Sequence, residues 1–218
     1  MRPSLAAIVF DLDGVLIDSE YLIKYAFSEA YRRVVGQGQP PIEEYWKYLG
    51  DSFPNIMKHM GLPLEMWSHF REVSSTRLDL VCVFPSIKKI LNSIADSRIK
   101  MGILTGKDRQ RTEQILLHFE LGNFFQVVVT PEDISNPKPH PEGLKYAMEK
   151  LSVSVDDTIF VGDSFNDMLC AKNTGVTGIA ALWGEETQKD KVISIADYAA
   201  RSPDDLLTIL NKEFKLEN

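Results

Sequence analysis

Five short apolar runs punctuate the chain, at residues 6–10, 99–104, 125–129, 158–161 and 178–182, and they scarcely alternate with polar positions. A sheet with one wet face would alternate, so unbroken apolarity predicts strands covered on both faces. Between the runs the period changes. Ile87, Ile90, Leu91 and Ile94 share one helical face, and Leu144, Ala147, Met148 and Leu151 share another. Further helices are predicted over 109–119 and around Met168, Leu169 and Ala171. Strand and helix in alternation predict an α/β fold, a Rossmann-like doubly wound parallel sheet.

The interval 19–85 departs from this rhythm and shows no strand pattern. Leu22, Ala26, Ala30 and Val34 recur every fourth residue, Met57, Met60 and Leu64 suggest further helix, and the stretch 36–41, rich in Gly, Gln and Pro, would separate two helices. The expectation is a small all-helical domain at 19–85, inserted after the first strand of a core formed by 1–18 and 86–218. No internal repeat or low-complexity tract is apparent.

A length of 218 residues suits one large core with a modest insert, and 44% hydrophobic with 25% charged residues is the balance of a globular protein. Charge changes the picture more. Lys and Arg total 24 against 31 Asp and Glu, a formal −7, which repels nucleic acid and anionic membranes, so neither is an expected partner. A phosphate-bearing ligand must then be held by local donors or by a metal. The first apolar run stops at Asp11, well short of the roughly 20 residues that span a bilayer. Two cysteines, Cys82 and Cys170, cannot build a disulfide framework and point to a reducing cytoplasm. Both, with Trp46, Trp67 and Trp183, read as packing residues.

Ligands of a doubly wound sheet bind beyond the carboxyl ends of its strands, so the polar residues just after each run matter most. These are Asp11 and Asp13, Thr105 and Gly106, and Asp163 and Asp167, with Lys138 in the loop after the third run. Asp11 and Asp13 stand two apart, where both carboxylates point one way if strand geometry persists. Carboxylates crowded in a dry pocket repel, and an oxygen-only donor set without histidines favours Mg²⁺ over zinc. The same acids could instead only cap helices or solvate a turn. Thr105 and Gly106, ahead of a helix, suit either a phosphate cradle or an N-cap beside a turn. Lys138 sits among three prolines, in Asn136-Pro137-Lys138-Pro139-His140-Pro141, a stiff loop that can fix a cation against phosphate or aspartates. His140 reads as a loop or capping residue. Asp167 could orient water, neutralise Lys138 or act as an N-cap. Singly each site has a bland explanation, but four in order at four strand ends would need four independent accidents.

With these motifs in place, the chain resembles the haloacid dehalogenase superfamily, in the branch whose helical cap follows the first strand. The resemblance rests on Asp11-Leu12-Asp13-Gly14-Val15-Leu16-Ile17-Asp18-Ser19, Thr105-Gly106, Lys138-Pro139-His140-Pro141 and Gly162-Asp163 through Asp167, and it spans about residues 5 to 210. It implies Asp11 as the nucleophile that becomes an aspartyl-phosphate and Asp13 as general acid and then base. It implies Mg²⁺ held by the Asp11 carboxylate, the Asp13 backbone carbonyl and Asp163, with Asp167 in support, and phosphoryl oxygens held by Thr105, Gly106 and Lys138. Haloacid dehalogenases lack the second aspartate, so Asp13 points to phosphoryl transfer.

The activity so implied is hydrolysis of a small phosphorylated metabolite. The runs Thr105-Gly106-Lys107-Asp108-Arg109 and Tyr48-Leu49-Gly50 resemble phosphoglycolate phosphatases, and Lys47, Tyr48 and Gly50 are candidates for a cap loop that touches substrate. A mutase similar to β-phosphoglucomutase would share the same machinery and differ in releasing no inorganic phosphate. A phospho-accepting receiver fits poorly because receivers are shorter and have no helical insert. An inactive binding module fits poorly because every motif residue is present. Monomer and homodimer are equally compatible with the sequence.

Overall fold

A strand forms at each of the five apolar runs, because only a buried strand tolerates apolar side chains on both faces. The computed structural model describes residues 5–48, 50–184 and 189–216; Leu49 of the expected cap loop lies outside them. β1 (Ala7–Phe10) is followed by a two-residue strand, β2 (Ile17–Asp18). Next come α1 (Glu20–Val34), α2 (Ile42–Tyr45), α3 (Phe53–Met60) and α4 (Met66–Thr76). The chain then returns through β3 (Cys82–Val83), antiparallel to β2. From there helix and strand alternate: α5 (Ile87–Asp96), β4 (Lys100–Leu104), α6 (Arg109–His118), β5 (Val127–Val129), α7 (Glu142–Leu151) and β6 (Thr158–Gly162). α8 (Phe165–Thr174), β7 (Thr177–Ala181), α9 (Lys189–Ile193), β8 (Tyr198–Ala200) and α10 (Pro203–Phe214) complete the order.

The sheet runs β5-β4-β1-β6-β7-β8, parallel throughout. Side chains of β1 divide between its two faces as a period of two requires. Ile8 and Phe10 pack with Ile87, Ile90 and Leu91 of α5, while Ala7 and Val9 pack with Leu144, Ala147 and Met148 of α7. The chain winds outward from β1 to β4 and β5, then reverses through β6, so β1 lies at the switch point where such sheets open a crevice.

The helices between β2 and β3 have an apolar core of their own. Leu22 apart, the buried face of α1 (Ile23, Ala26, Phe27 and Ala30) meets Phe70 and Val73 of α4. Aromatic contacts close this core: Phe53 and Phe70 stack with centroids 4.2 Å apart, and Phe27 and Tyr45 meet at a tilt at 5.0 Å.

Three expectations need correction. Cys82 and Val83 do form a strand within the interval read as strandless, and Cys82 is exposed instead of packed. Leu64 is not on the helix with Met57 and Met60. That helix stops at Gly61, whose left-handed φ of 65° ends it, and Leu64 beyond it is 57% exposed. β8, the sheet's edge, was not anticipated; its three residues are too few and too exposed to leave a pattern. No helix among the described residues is long and apolar enough to cross a membrane.

Candidate active site

β1 ends at Phe10, which leaves Asp11 as the first residue beyond the strand, its N–H donating to the Val161 carbonyl at 2.9 Å. β6 ends at Gly162 and delivers Asp163 beside it. Gly14 makes this approach possible. Its φ is +73°, and a Cβ there would lie 1.9 Å from Asp163 Oδ2.

Asp167 reaches the same place by capping its helix. Ser164 is the N-cap of α8; its Oγ accepts from the Asp167 N–H at 3.1 Å, while Asp167 Oδ2 accepts from the Ser164 N–H at 2.9 Å and Oγ at 2.6 Å. The other oxygen, Oδ1, is 2.7 Å from Lys138 Nζ, which is also 3.1 Å from Asp11 Oδ1. Of the roles open to Asp167 in the sequence, the pairing with Lys138 is the one seen; Asp167 is not the N-cap, which is Ser164, but closes the capping box from the third helical position.

Carboxylate oxygens of Asp11, Asp163 and Asp167 lie within 4.8 Å of one another, all three residues buried. One buried lysine cannot balance three acids. Burial first, then the neighbouring carboxylates, push Asp11 up to about 7 against the pull of Lys138, and push Asp163 well above the ordinary range. An all-oxygen donor set that is short of positive charge fits a hard divalent cation.

Thr105 follows β4, buried, with its N–H on the Val129 carbonyl at 3.0 Å and its Oγ1 accepting from the Lys107 N–H at 3.2 Å. It does not cap α6; Asp108 does, accepting from the Arg111 N–H. Gly106 lies under the helical insert, where a Cβ would come 2.7 Å from the Asp51 carbonyl oxygen. Asp11, Asp13, Thr105, Gly106 and Asp163 line one cleft. Its opposite wall comes from the insert and includes Ile23, Tyr45, Trp46, Gly50 and Phe53.

Asp13 faces differently from the other acids. It accepts a short hydrogen bond from Ser19 Oγ, and Lys107 Nζ is 3.1 Å from its Oδ1. Its carboxylate is thus turned to the cleft and outside the three-acid cluster.

A profile of the family described as haloacid dehalogenase-like hydrolase matches residues 8–181. This chain belongs to that family. Among similar proteins, a pyrophosphatase PpaX from Bacillus mycoides is 30% identical over 208 residues, covering 94% of this chain and 96% of the relative. Two solved structures show the same fold. One, from Lactobacillus plantarum and provisionally assigned as a phosphoglycolate phosphatase, has a TM-score of 0.84 at 22% identity, covering 94% of this chain and 99% of the other. The other, CbbY from Rhodobacter sphaeroides with xylulose-(1,5)bisphosphate, has a TM-score of 0.77 at 20% identity, covering 91% and 94%.

The geometry of this haloacid dehalogenase-like hydrolase also adds residues that sequence reasoning passed over. Lys107, which stands in the run 105–109 with no role implied there, and Arg111 are buried and line the cleft. Trp46 lines the cleft as well as packing. Of the expected cap-loop residues only Gly50 lines it; Lys47 is exposed and Tyr48 stacks on His59 at 5.2 Å.

Proposed function

We propose that this hydrolase is a Mg²⁺-dependent phosphatase of small phosphorylated metabolites that works through an aspartyl-phosphate on Asp11. The observation that carries the reading is Lys138 held between Asp11 and Asp167, beside a third buried acid, Asp163, with Asp11 and Asp163 lining the cleft. A relative named as a pyrophosphatase and a fold neighbour holding a sugar bisphosphate support a phosphate substrate.

The cation would be held by the Asp11 and Asp163 carboxylates and the Asp13 backbone carbonyl, with Asp167 in support. When bound it screens the negative charge of both nucleophile and phosphoryl group. Lys138, the Thr105 hydroxyl and the Gly106 N–H take the phosphoryl oxygens and stabilise the charge that spreads over them. Asp11 Oδ forms a bond to phosphorus as the bond from phosphorus to the ester oxygen breaks, and Asp13 gives its proton to that oxygen. Asp13 then takes a proton from water, whose oxygen attacks phosphorus, releases inorganic phosphate and restores Asp11. Ser19 and Lys107 hold the Asp13 carboxylate in the cleft for both transfers.

Residues 19–85 act in this scheme as a cap domain on the core 1–18 and 86–218. The cap separates the site from bulk solvent while admitting the attacking water, and it selects the leaving group. A panel of phosphorylated metabolites with Mg²⁺, scored by kcat/KM and by phosphate release, tests the reading. Release is expected; isomerised sugar phosphate without release would make the protein a mutase.

The role of Asp13 has its own test. Asp13→Asn is expected to slow alkyl phosphates by about 10²- to 10⁴-fold, the usual worth of a positioned acid, and aryl phosphates with good leaving groups much less. Equal loss on both would remove Asp13 from proton transfer.

A further inference from the structure

The turn that follows β1 carries more than Asp13. Between Leu12 and Ile17 the chain reverses on itself: the Leu12 carbonyl accepts from the N–H groups of Leu16 at 3.0 Å and Ile17 at 3.1 Å, and the Gly14 N–H donates to the Ile17 carbonyl at 2.9 Å. Asp13 stands in this turn, and Ile17 leaves it as the first residue of β2, the strand that leads into the helical insert. Whatever holds the turn therefore holds both the acid of the site and the way into the cap.

Two distant segments grip it. Phe84, just after β3, donates its N–H to the Leu16 carbonyl at 3.2 Å. Trp183, in the loop after β7, reaches across 168 positions of the chain: its Nε1–H donates to the Val15 carbonyl at 3.1 Å, and its ring meets that of Phe84 edge-on with centroids 6.5 Å apart. An indole has a single N–H donor, and this contact uses it. Val15 is fully buried, so its carbonyl has no water to turn to if the indole is taken away, and a buried carbonyl without a donor favours a rearranged backbone. Asp11 is fixed otherwise, by its own N–H on the Val161 carbonyl at the tip of β1. The two acids of the mechanism are thus held by different parts of the chain.

We propose that Trp183 is a positioning residue for Asp13: its N–H fixes the turn 12–17, and with it the carboxylate that passes protons to the leaving group and from water, whereas attack by Asp11 does not need it. This rests on the phosphatase reading, to which it adds a residue from outside the sequence motifs. The alternative is that Trp183 only packs, as the edge-on contact with Phe84 would by itself suggest.

Two variants separate the donor from the ring. Trp183→Phe keeps a ring beside Phe84 and loses the N–H; Trp183→Gln loses the ring and keeps an N–H the same number of bonds from Cβ. Each is assayed at saturating Mg²⁺ on an alkyl and an aryl phosphate, Trp183→Phe also in an Asp13→Asn background, with melting temperature and hydrogen exchange at the Gly14, Leu16 and Ile17 amides followed in the same proteins. Trp183→Phe is expected to lower kcat for the alkyl ester by about tenfold, with KM and the aryl ester little changed. It should speed exchange at the three amides by about tenfold and cost nothing further in the Asp13→Asn background, as two residues acting through one step require. Trp183→Gln should keep the alkyl-to-aryl ratio of the wild-type protein even where it melts lower. Equal loss on both esters, a tenfold loss repeated in the Asp13→Asn background, a ratio as low in Trp183→Gln as in Trp183→Phe, or unchanged exchange at the turn would overturn the positioning role. A wild-type protein that turns over neither ester, alongside faster exchange in Trp183→Phe, would instead refute the phosphatase reading and leave Trp183 as the tie that holds the turn.

Discussion

Asp11→Asn is expected to abolish turnover, by roughly 10³-fold or more, while leaving the fold and melting temperature nearly intact. The amide keeps the volume and shape of the side chain but cannot attack phosphorus. It also removes one of three crowded acids, so the folded state loses repulsion along with part of its pairing to Lys138. Steady-state kinetics on the best ester, with circular dichroism as a control for folding, reads both. Activity near that of the wild-type protein would exclude Asp11 as the covalent nucleophile.

Lys138→Met is expected to be the more destructive change, because it strikes stability and catalysis together. Lys138 is 3% exposed and its ammonium contacts Asp11 and Asp167, both buried. Removing one partner of a buried ion pair leaves an unpaired charge, with a usual cost of about 3–5 kcal/mol. Protonation of the acids softens that cost at low pH. The variant should therefore be closest to the wild-type protein below the ordinary carboxylate range and fall further behind as pH rises, by urea denaturation at several pH values without metal. A constant difference from acid to neutral pH would mean that the lysine does not balance these acids. The wild-type protein without metal is expected to show a weaker form of the same trend. Burial pushes Asp11 up to about 7 in the fold, from an ordinary value of 3.8, so the folded state holds a proton that the unfolded chain has lost between those values. Stability contributed by this group falls as pH rises through that window.

Much of the site was legible because of one rule of the fold. Asp11, Thr105 and Asp163 each follow directly on an apolar run, and parallel strands in a doubly wound sheet bring those ends to one edge. Lys138 was legible from the prolines around it, and the structure adds the two acids it joins. Lys107 and Arg111 were not legible. Arg111 packs against Phe70, Trp67 and Ser74, which come from a helix far away in the chain and leave no mark on the local run of charges, and Lys107 is paired with Asp13. Leu64 misled for the opposite reason: helical spacing continues through Gly61, and only the left-handed turn there shows that the helix has ended. The strands Cys82–Val83 and Tyr198–Ala200 are too short for periodicity to register.

Metal dependence offers the most direct measurement. The protein is freed of divalent ions by exhaustive chelation and dialysis, then titrated with Mg²⁺ while phosphate release and the melting temperature are followed. Without metal the rate should be lost; with Mg²⁺ it should return in full and the melting temperature should rise, by more at pH 8 than at pH 6, where Asp11 still holds a proton that the ion must displace. Full turnover in the metal-free protein would contradict the assignment of Asp11, Asp163 and Asp167 as a site that needs a cation to work on a phosphate.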